Sequence, residues 1–225
     1  SNLTGGGTID FLGNQTVNFD SAYTISSAST LFDPTGTITF AGAGTLTIVS
    51  GGSLKMTADT ASVAIDNQGN LDIESGASTI DNSTNTFTHS GVLTIRSTAS
   101  NAGLVIANGF TNAGTITLDN ADSSARSQSL TVSSGTLTNA GTINTTRTGG
   151  GSATHSITAD IINTGTINID ATASITATTF DTSNGDIDVA SGNTLYLDST
   201  TTTIGTSSNL TGGGTIDFLG NQTVN

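Results

Sequence analysis

Apolar residues recur at every second position in short bursts along the chain: GTITF at 36, GTLTI at 44, GNLDI at 69, GVLTI at 91, GTITL at 114, GTINI at 165 and GDIDV at 185. A period of two buries one face of a β-strand, and Gly, Asn and Ser bound each burst as turn residues do. No stretch carries helical spacing, and the runs of Ala, Leu, Glu and Lys that favour helix are missing. Val, Ile, Thr and Phe, which fit a pleated surface, fill the bursts instead.

The bursts themselves recur. Fragments SNL, YTI, GTL, GNL, GVL, GTI, GTI, GTI, GDI and SNL begin at 1, 23, 44, 69, 91, 114, 141, 165, 185 and 208. Their spacing, about 23 residues, is that of a solenoid coil. Two further bursts fit in each interval. A second column holds GTIDF at 7, GSLKM at 52, QSLTV at 128 and NTLYL at 193; a third holds QTVNF at 15, GTITF at 36, ASVAI at 61 and GTLTN at 135. Three strands per coil predict an all-β fold, a parallel β-helix or three-sided β-solenoid, right-handed because parallel crossovers favour that hand.

A longer repeat encloses the short one. SNLTGGGTIDFLGNQTVN fills residues 1–18 and again 208–225. The chain therefore reads as one tandem unit of nine coils over 1–207, with the start of the next identical unit at 208–225. Neither copy of the string looks like a polar cap. A second unit is expected to stack on the first with all three sheets continuing without a seam, so the expected partners are further copies of the repeat, end to end.

In this register the third residue of the first column points inward on every coil: Leu3, Ile25, Leu46, Leu71, Leu93, Ile116, Ile143, Ile167, Ile187 and Leu210. A slip of one residue would bury Asn and Thr instead. Two residues further on the column is weaker, and Gly5, Ser27 and Thr145 mark where the prism should narrow. Phe19, Phe40, Phe87, Phe110 and Phe180 read as core rather than as a sugar-binding stripe. Asn67, Asn112, Asn139 and Asn163 each precede a Gly by two residues, a corner where a residue tolerant of positive φ is expected. Stacked asparagines can also hydrogen-bond from coil to coil. His89 takes the same slot and reads as a substitute turn residue. Glu74, Arg96 and Asp119 fall at one position of three consecutive coils, predicting an ion ladder with the arginine between two acids.

Composition narrows the function. Four Lys and Arg stand against 17 Asp and Glu, a formal net charge of -13 at pH 7. A surface of that sign does not bind nucleic acid through phosphate contacts. Charged residues are only 9% of the chain, so Thr, Ser, Asn and Gly carry its solubility. There is no Cys, which excludes disulfides and thiolate metal sites. No apolar run approaches the roughly 18 residues of a membrane helix. Such a protein is expected outside the cell, at its surface.

The recurring TNAGTIT-like corner, the Thr-, Asn- and Gly-rich coils and the lack of Cys resemble the β-helical stems of bacterial filamentous-haemagglutinin-type adhesins and autotransporter passengers. The resemblance spans the whole chain and rests on a degenerate motif. It implies a secreted structural fibre or adhesin stalk giving reach, surface attachment or biofilm and matrix scaffolding, with other fibres or surface glycans as further partners.

Other functions find weaker footing. Enzymes of this fold class set acidic clusters beside a basic residue, but Lys55, Arg96, Arg126 and Arg147 form no such constellation; no catalytic residue and no cofactor is assigned. Arg126 and Arg147, with His155 nearby, read as loop decoration. Asp186 with Asp188, and Asp119 with Asp122, are weak candidates for calcium, which prefers carboxylate oxygens. Ice binding would need Thr-x-Thr pairs on one face of successive coils. The first column offers only Thr45/Thr47 and Thr115/Thr117 of that kind, so it stands as a remote alternative beside polysaccharide binding or degradation.

Overall fold

The computed structural model describes the backbone at residues 2–3, 6–26 and 29–225, and side chains at 6–26 and 36–225. Among these residues there is no helix, and every pairing between strands is parallel. The chain winds as a parallel β-solenoid of about nine turns, about 23 residues each.

Each turn lays one strand on each of three faces. The first face is a ten-stranded sheet. One ladder runs its whole length: Ile9, Leu31, Leu54, Leu71, Leu93, Ile116, Ile143, Ile167, Ile187 and Leu210 are partners on successive coils. The second and third faces belong to one 17-stranded sheet. They are joined because the strands Gln128–Asn139, His155–Asn163, Ala173–Asp181 and Thr194–Thr203 run on around the corner between them. Alternation then does what the pattern implies. Leu71 and Ile73, Leu93 and Ile95, Ile116 and Leu118 are buried in the prism, where no water competes for them.

Seven members of the expected first column, from Leu71 to Leu210, stand in that ladder. Leu3, Ile25 and Leu46 do not. They lie on the third face: the backbone of Leu3 pairs with Ile25, Ile25 with Ile48, and Leu46 with Tyr23 and Ile65. The side chain of Leu3, like Ser27 and Gly5, lies outside the described residues. Ile9, Leu31 and Leu54 occupy the first face in their stead. The physical reason is that all three faces demand the same alternation, so GTLTI on one face is indistinguishable from GTITL on another. The aromatic column divides in the same way. Phe40 is on the second face between Val17 and Ala61, whereas Phe87, Phe110 and Phe180 are on the third. Phe87 and Phe110 meet at 5.0 Å between ring centroids.

The corner onto the first face has a different basis from the one its sequence suggests. None of Asn67, Asn112, Asn139 and Asn163 has positive φ; among the described non-glycine residues only Ala58 and Ser75 do. The glycines two residues later are required by close approach instead. A Cβ on Gly114 would strike the carbonyl oxygen of Gly91, one on Gly141 that of Gly114, and one on Gly165 that of Gly141. Backbone stacks on backbone there at the strand spacing, with no room for a side chain.

Gly141→Ala should therefore cost about 1–3 kcal/mol, the range of an overpacked interior. Gly7→Ala, whose Cβ would meet nothing within 4 Å, should be neutral. Urea unfolding of the two variants measures the contrast, and equal midpoints would mean that the corner relaxes.

Candidate functional site

The asparagines of the corner point inward and are fully buried. Each side-chain amide ties two things together. Asn112 Nδ2 donates to Asn139 Oδ1 at 2.7 Å and to the Thr142 carbonyl at 3.1 Å; Asn139 repeats this with Asn163 Oδ1 at 2.7 Å and Thr166 at 3.1 Å. Asn163 ends the run on Thr182 Oγ1 at 3.0 Å and the Asp186 carbonyl at 3.2 Å. Every rung joins the coil below to the backbone as it turns onto the next face. Buried amides need such partners, since an orphaned one costs about 1–3 kcal/mol.

His89 is a rung of the same ladder. Its Nδ1 accepts from Asn67 Nδ2 at 3.0 Å and its Nε2 faces the Thr115 carbonyl at 3.3 Å, the network of a neutral ring protonated at Nε2. Burial lowers its pKa to about 4, with the Thr115 carbonyl opposing.

Glu74, Arg96 and Asp119 are register partners on three coils. Arg96 Nε stands 3.4 Å from Asp119 Oδ2, whereas Glu74 pairs with Lys55 of the coil before. Asp119 is itself almost wholly buried. Burial works against its charge, but donors from the Thr148 amide at 3.0 Å, Thr148 Oγ1 at 2.7 Å and Thr146 Oγ1 at 2.9 Å, with Arg96 beside them, hold its pKa below the ordinary value. A carboxylate so fully engaged fastens the loop that follows the first face; it has no lone pair set aside for a substrate.

Around it lie the other charged candidates. Arg126 Nε reaches Asp122 Oδ2 at 3.2 Å, and Arg147 donates to Asn193 Oδ1 at 2.9 Å. His155 is buried without a hydrogen-bond partner at either nitrogen, as is Gln128 Oε1 on the preceding coil. Its pKa falls to about 4, chiefly by burial; the Asp119 charge opposes this and the Arg147 charge adds to it. The calcium candidates are also committed. Asp186 Oδ1 accepts from Asn209 N and Nδ2, Asp188 Oδ1 from Thr211 Oγ1, and Asp119 and Asp122 turn to different partners. Among the described residues no three His, Cys, Asp or Glu gather closely enough to hold a metal ion.

What the sequence reading missed lies on the outer side of the second and third faces. Thr16, Thr39, Thr60 and Thr79 form a file up the second face; after Val105 it resumes with Thr131, Thr158 and Thr176. At the far corner of that face an open groove of about 340 Å³ is lined by Ser133, Ser134, Gly135, Thr158, Asp160 and Thr176. The signal was present as Thr between buried positions, but it forms a file only once each burst is assigned its face. On the third face Thr45/Thr47 is followed by Ala64/Asp66, and Thr136/Thr138 is separated from Thr201/Thr203 by Asp160/Ile162 and Thr179/Asp181, so that array is interrupted too.

The chain from residue 1 to 221 matches the model of a family described as hyphally regulated cell wall protein N-terminal. No curated protein and no solved structure matches it. The family match overturns the resemblance to bacterial haemagglutinin-type adhesins and autotransporter passengers, and leaves a bacterial origin without support. The features that carried the resemblance are demands of the solenoid itself: glycine where backbones touch, asparagine where a buried amide must bridge coils.

The histidines give a test of the ladder. Their folded pKa values of about 4 lie below the unfolded value, so the unfolded chain binds more protons between the two. Stability should be full above about pH 6.5, fall as the pH drops towards 4, and lose up to roughly 3 kcal/mol per histidine. His89→Asn puts the ladder's own residue in the slot. It should keep stability at pH 7 within about 1 kcal/mol and remove about half of the slope. Urea midpoints from pH 4 to 7.5 measure both; an unchanged slope would place the titration elsewhere.

Proposed function

The chain belongs to the hyphally regulated cell wall protein N-terminal family, and from that membership we propose that it is a non-enzymatic stalk of the cell wall, giving reach and presenting an adhesive surface. As a cell wall protein it is cell-surface associated. The observation that carries the stalk reading is the ladder of the first face, unbroken from Ile9 to Leu210, in a chain whose sequence begins to repeat at residue 208. A parallel solenoid gains stability from each neighbour it stacks on, so added units lengthen it without a new core.

The adhesive part rests on the hydroxyl file and groove of the second face. Serine and threonine hydroxyls both donate and accept, which suits a polyhydroxylated ligand such as a wall or surface glycan. Degradation of such a ligand finds less support. Asp160 in the groove already accepts from the Thr178 and Thr179 amides at 2.7 and 2.9 Å, and no second acid or base faces it among the groove's residues. Ice binding meets the interrupted threonine pairs of the first and third faces.

Chains of one, two and three units, imaged by electron microscopy, should appear as straight rods that lengthen by about 45 Å per unit at a strand spacing of about 4.8 Å. Separate globules, or lengths that fail to add, would sink the stalk reading. Release of reducing ends from wall polysaccharide by the purified chain would sink the non-enzymatic one.

A further inference from the structure

The two copies of SNLTGGGTIDFLGNQTVN do not lie on the same faces. In the first copy Asn2–Leu3 is on the third face, Gly7–Leu12 on the first and Gln15–Asn18 on the second. In the second copy the corresponding strands Leu210–Gly212, Thr215–Phe218 and Thr223–Val224 are on the first, second and third. Identical sequence has advanced by one face. The ladder of the first face explains it: nine coils carry Ile9 to Leu210, whereas the repeat carries Ile9 to Ile216, six residues further and one face on. The expected seamless closure in nine whole coils therefore does not occur; the unit spans nine coils and a third.

We infer that successive units join end to end with a rotation of one face, so that three units complete the repeat of the fibre. The surface that makes the joint is the open end formed by the first copy. Ile9, Phe11, Val17, Phe19 and Tyr23 line an apolar hollow of about 370 Å³ there. Its occupant is the coil 186–207 of the preceding unit, and the second copy displays the fit. Leu210 pairs with Ile187, Ile216 with Leu195, Phe218 with Leu197 and Val224 with Thr202. The first copy displays the other side of the same string, Leu3 on Ile25, Ile9 on Leu31 and Val17 on Phe40. Between them, one structure holds both neighbours of the string. Joining the two requires the first face of one unit to run into the third face of the next. Leu210, Phe218 and Val224, exposed on the last coil, are then covered by the coil that follows.

This inference rests on the stalk reading and adds geometry to it. Each feature of the unit, the hydroxyl groove included, is presented on three sides in turn and returns to its first side after about 28 coils, or about 135 Å. A ligand or neighbouring fibre can then engage from any direction.

The natural chain has no Cys, so one label per unit can be placed at will. In a chain of six units carrying Asp198→Cys in each, maleimide-gold should mark three rows around the rod, successive labels about 45 Å apart along the axis. The exposed loop variant Ala125→Cys should give the same pattern from another corner. A single row along one side of a continuous rod would overturn the rotation and leave the stalk intact. Labels on separate, unaligned particles would overturn both.

Discussion

Parallel coils lie at the strand spacing of about 4.8 Å, and the rest of this molecule follows from keeping the backbone at that distance at its corners as well as along its strands. Along a strand the parallel ladder sets the distance. At the corner onto the first face the backbone goes on bonding from coil to coil, Gly141 N to the Asn112 carbonyl and Thr142 N to the Gly114 carbonyl at 2.9 Å each, and that close approach has to be kept clear. The glycine stack of Gly69, Gly91, Gly114, Gly141 and Gly165 removes every atom that would push the coils apart. The buried amides of Asn112, Asn139 and Asn163 add side-chain bonds between coils to those of the backbone.

Polar interior residues are costly unless each finds its partners, and this solenoid sets most of them at its corners. The third-face ladder reads Ile25, Ile48, Asn67, His89, Asn112, Asn139, Asn163 from coil to coil, so it is apolar at first and polar through the middle. Where it is polar, each side chain relies on the coils beside it. Cooperative stability in a quasi-linear array needs neighbour dependence of this kind. The corner between the first and second faces is dressed differently, with loops fastened through Asp119 and Asn120, and there His155 and Gln128 leave buried polar atoms unpartnered.

In the proposed stalk, function is a matter of outer surface and length. Two faces carry threonine outward, interrupted by Val105 on one and by Asp66, Ile162 and Asp181 on the other. Among the described residues Lys55, Arg96 and Arg126 are each held by an acid, and no three acids or histidines gather in one place. The proposal of a cell wall domain that presents hydroxyls along a rod asks for contact with other polymers and no chemistry on them.

The sequence by itself determined the strands, their parallel stacking, the turn length and which residues go inside, because period two and a recurrence near 23 residues are local and repeated. It determined as well that Glu74, Arg96 and Asp119 share one row, since within that stretch the coils differ little in length. It could not determine the face. Leu46 and Leu71 sit in the same five-residue pattern, yet one is on the third face and the other on the first. All three faces select the same alternation, so only the count of strands wound from one end to the other separates them. That count is a property of the whole stack: the short strand Thr60–Ala61 and the wider turns after residues 97, 120 and 146 each change how many residues a coil takes. The identical strings at 1–18 and 208–225 make the point most plainly, because their corresponding described strands lie on different faces for no reason of their own.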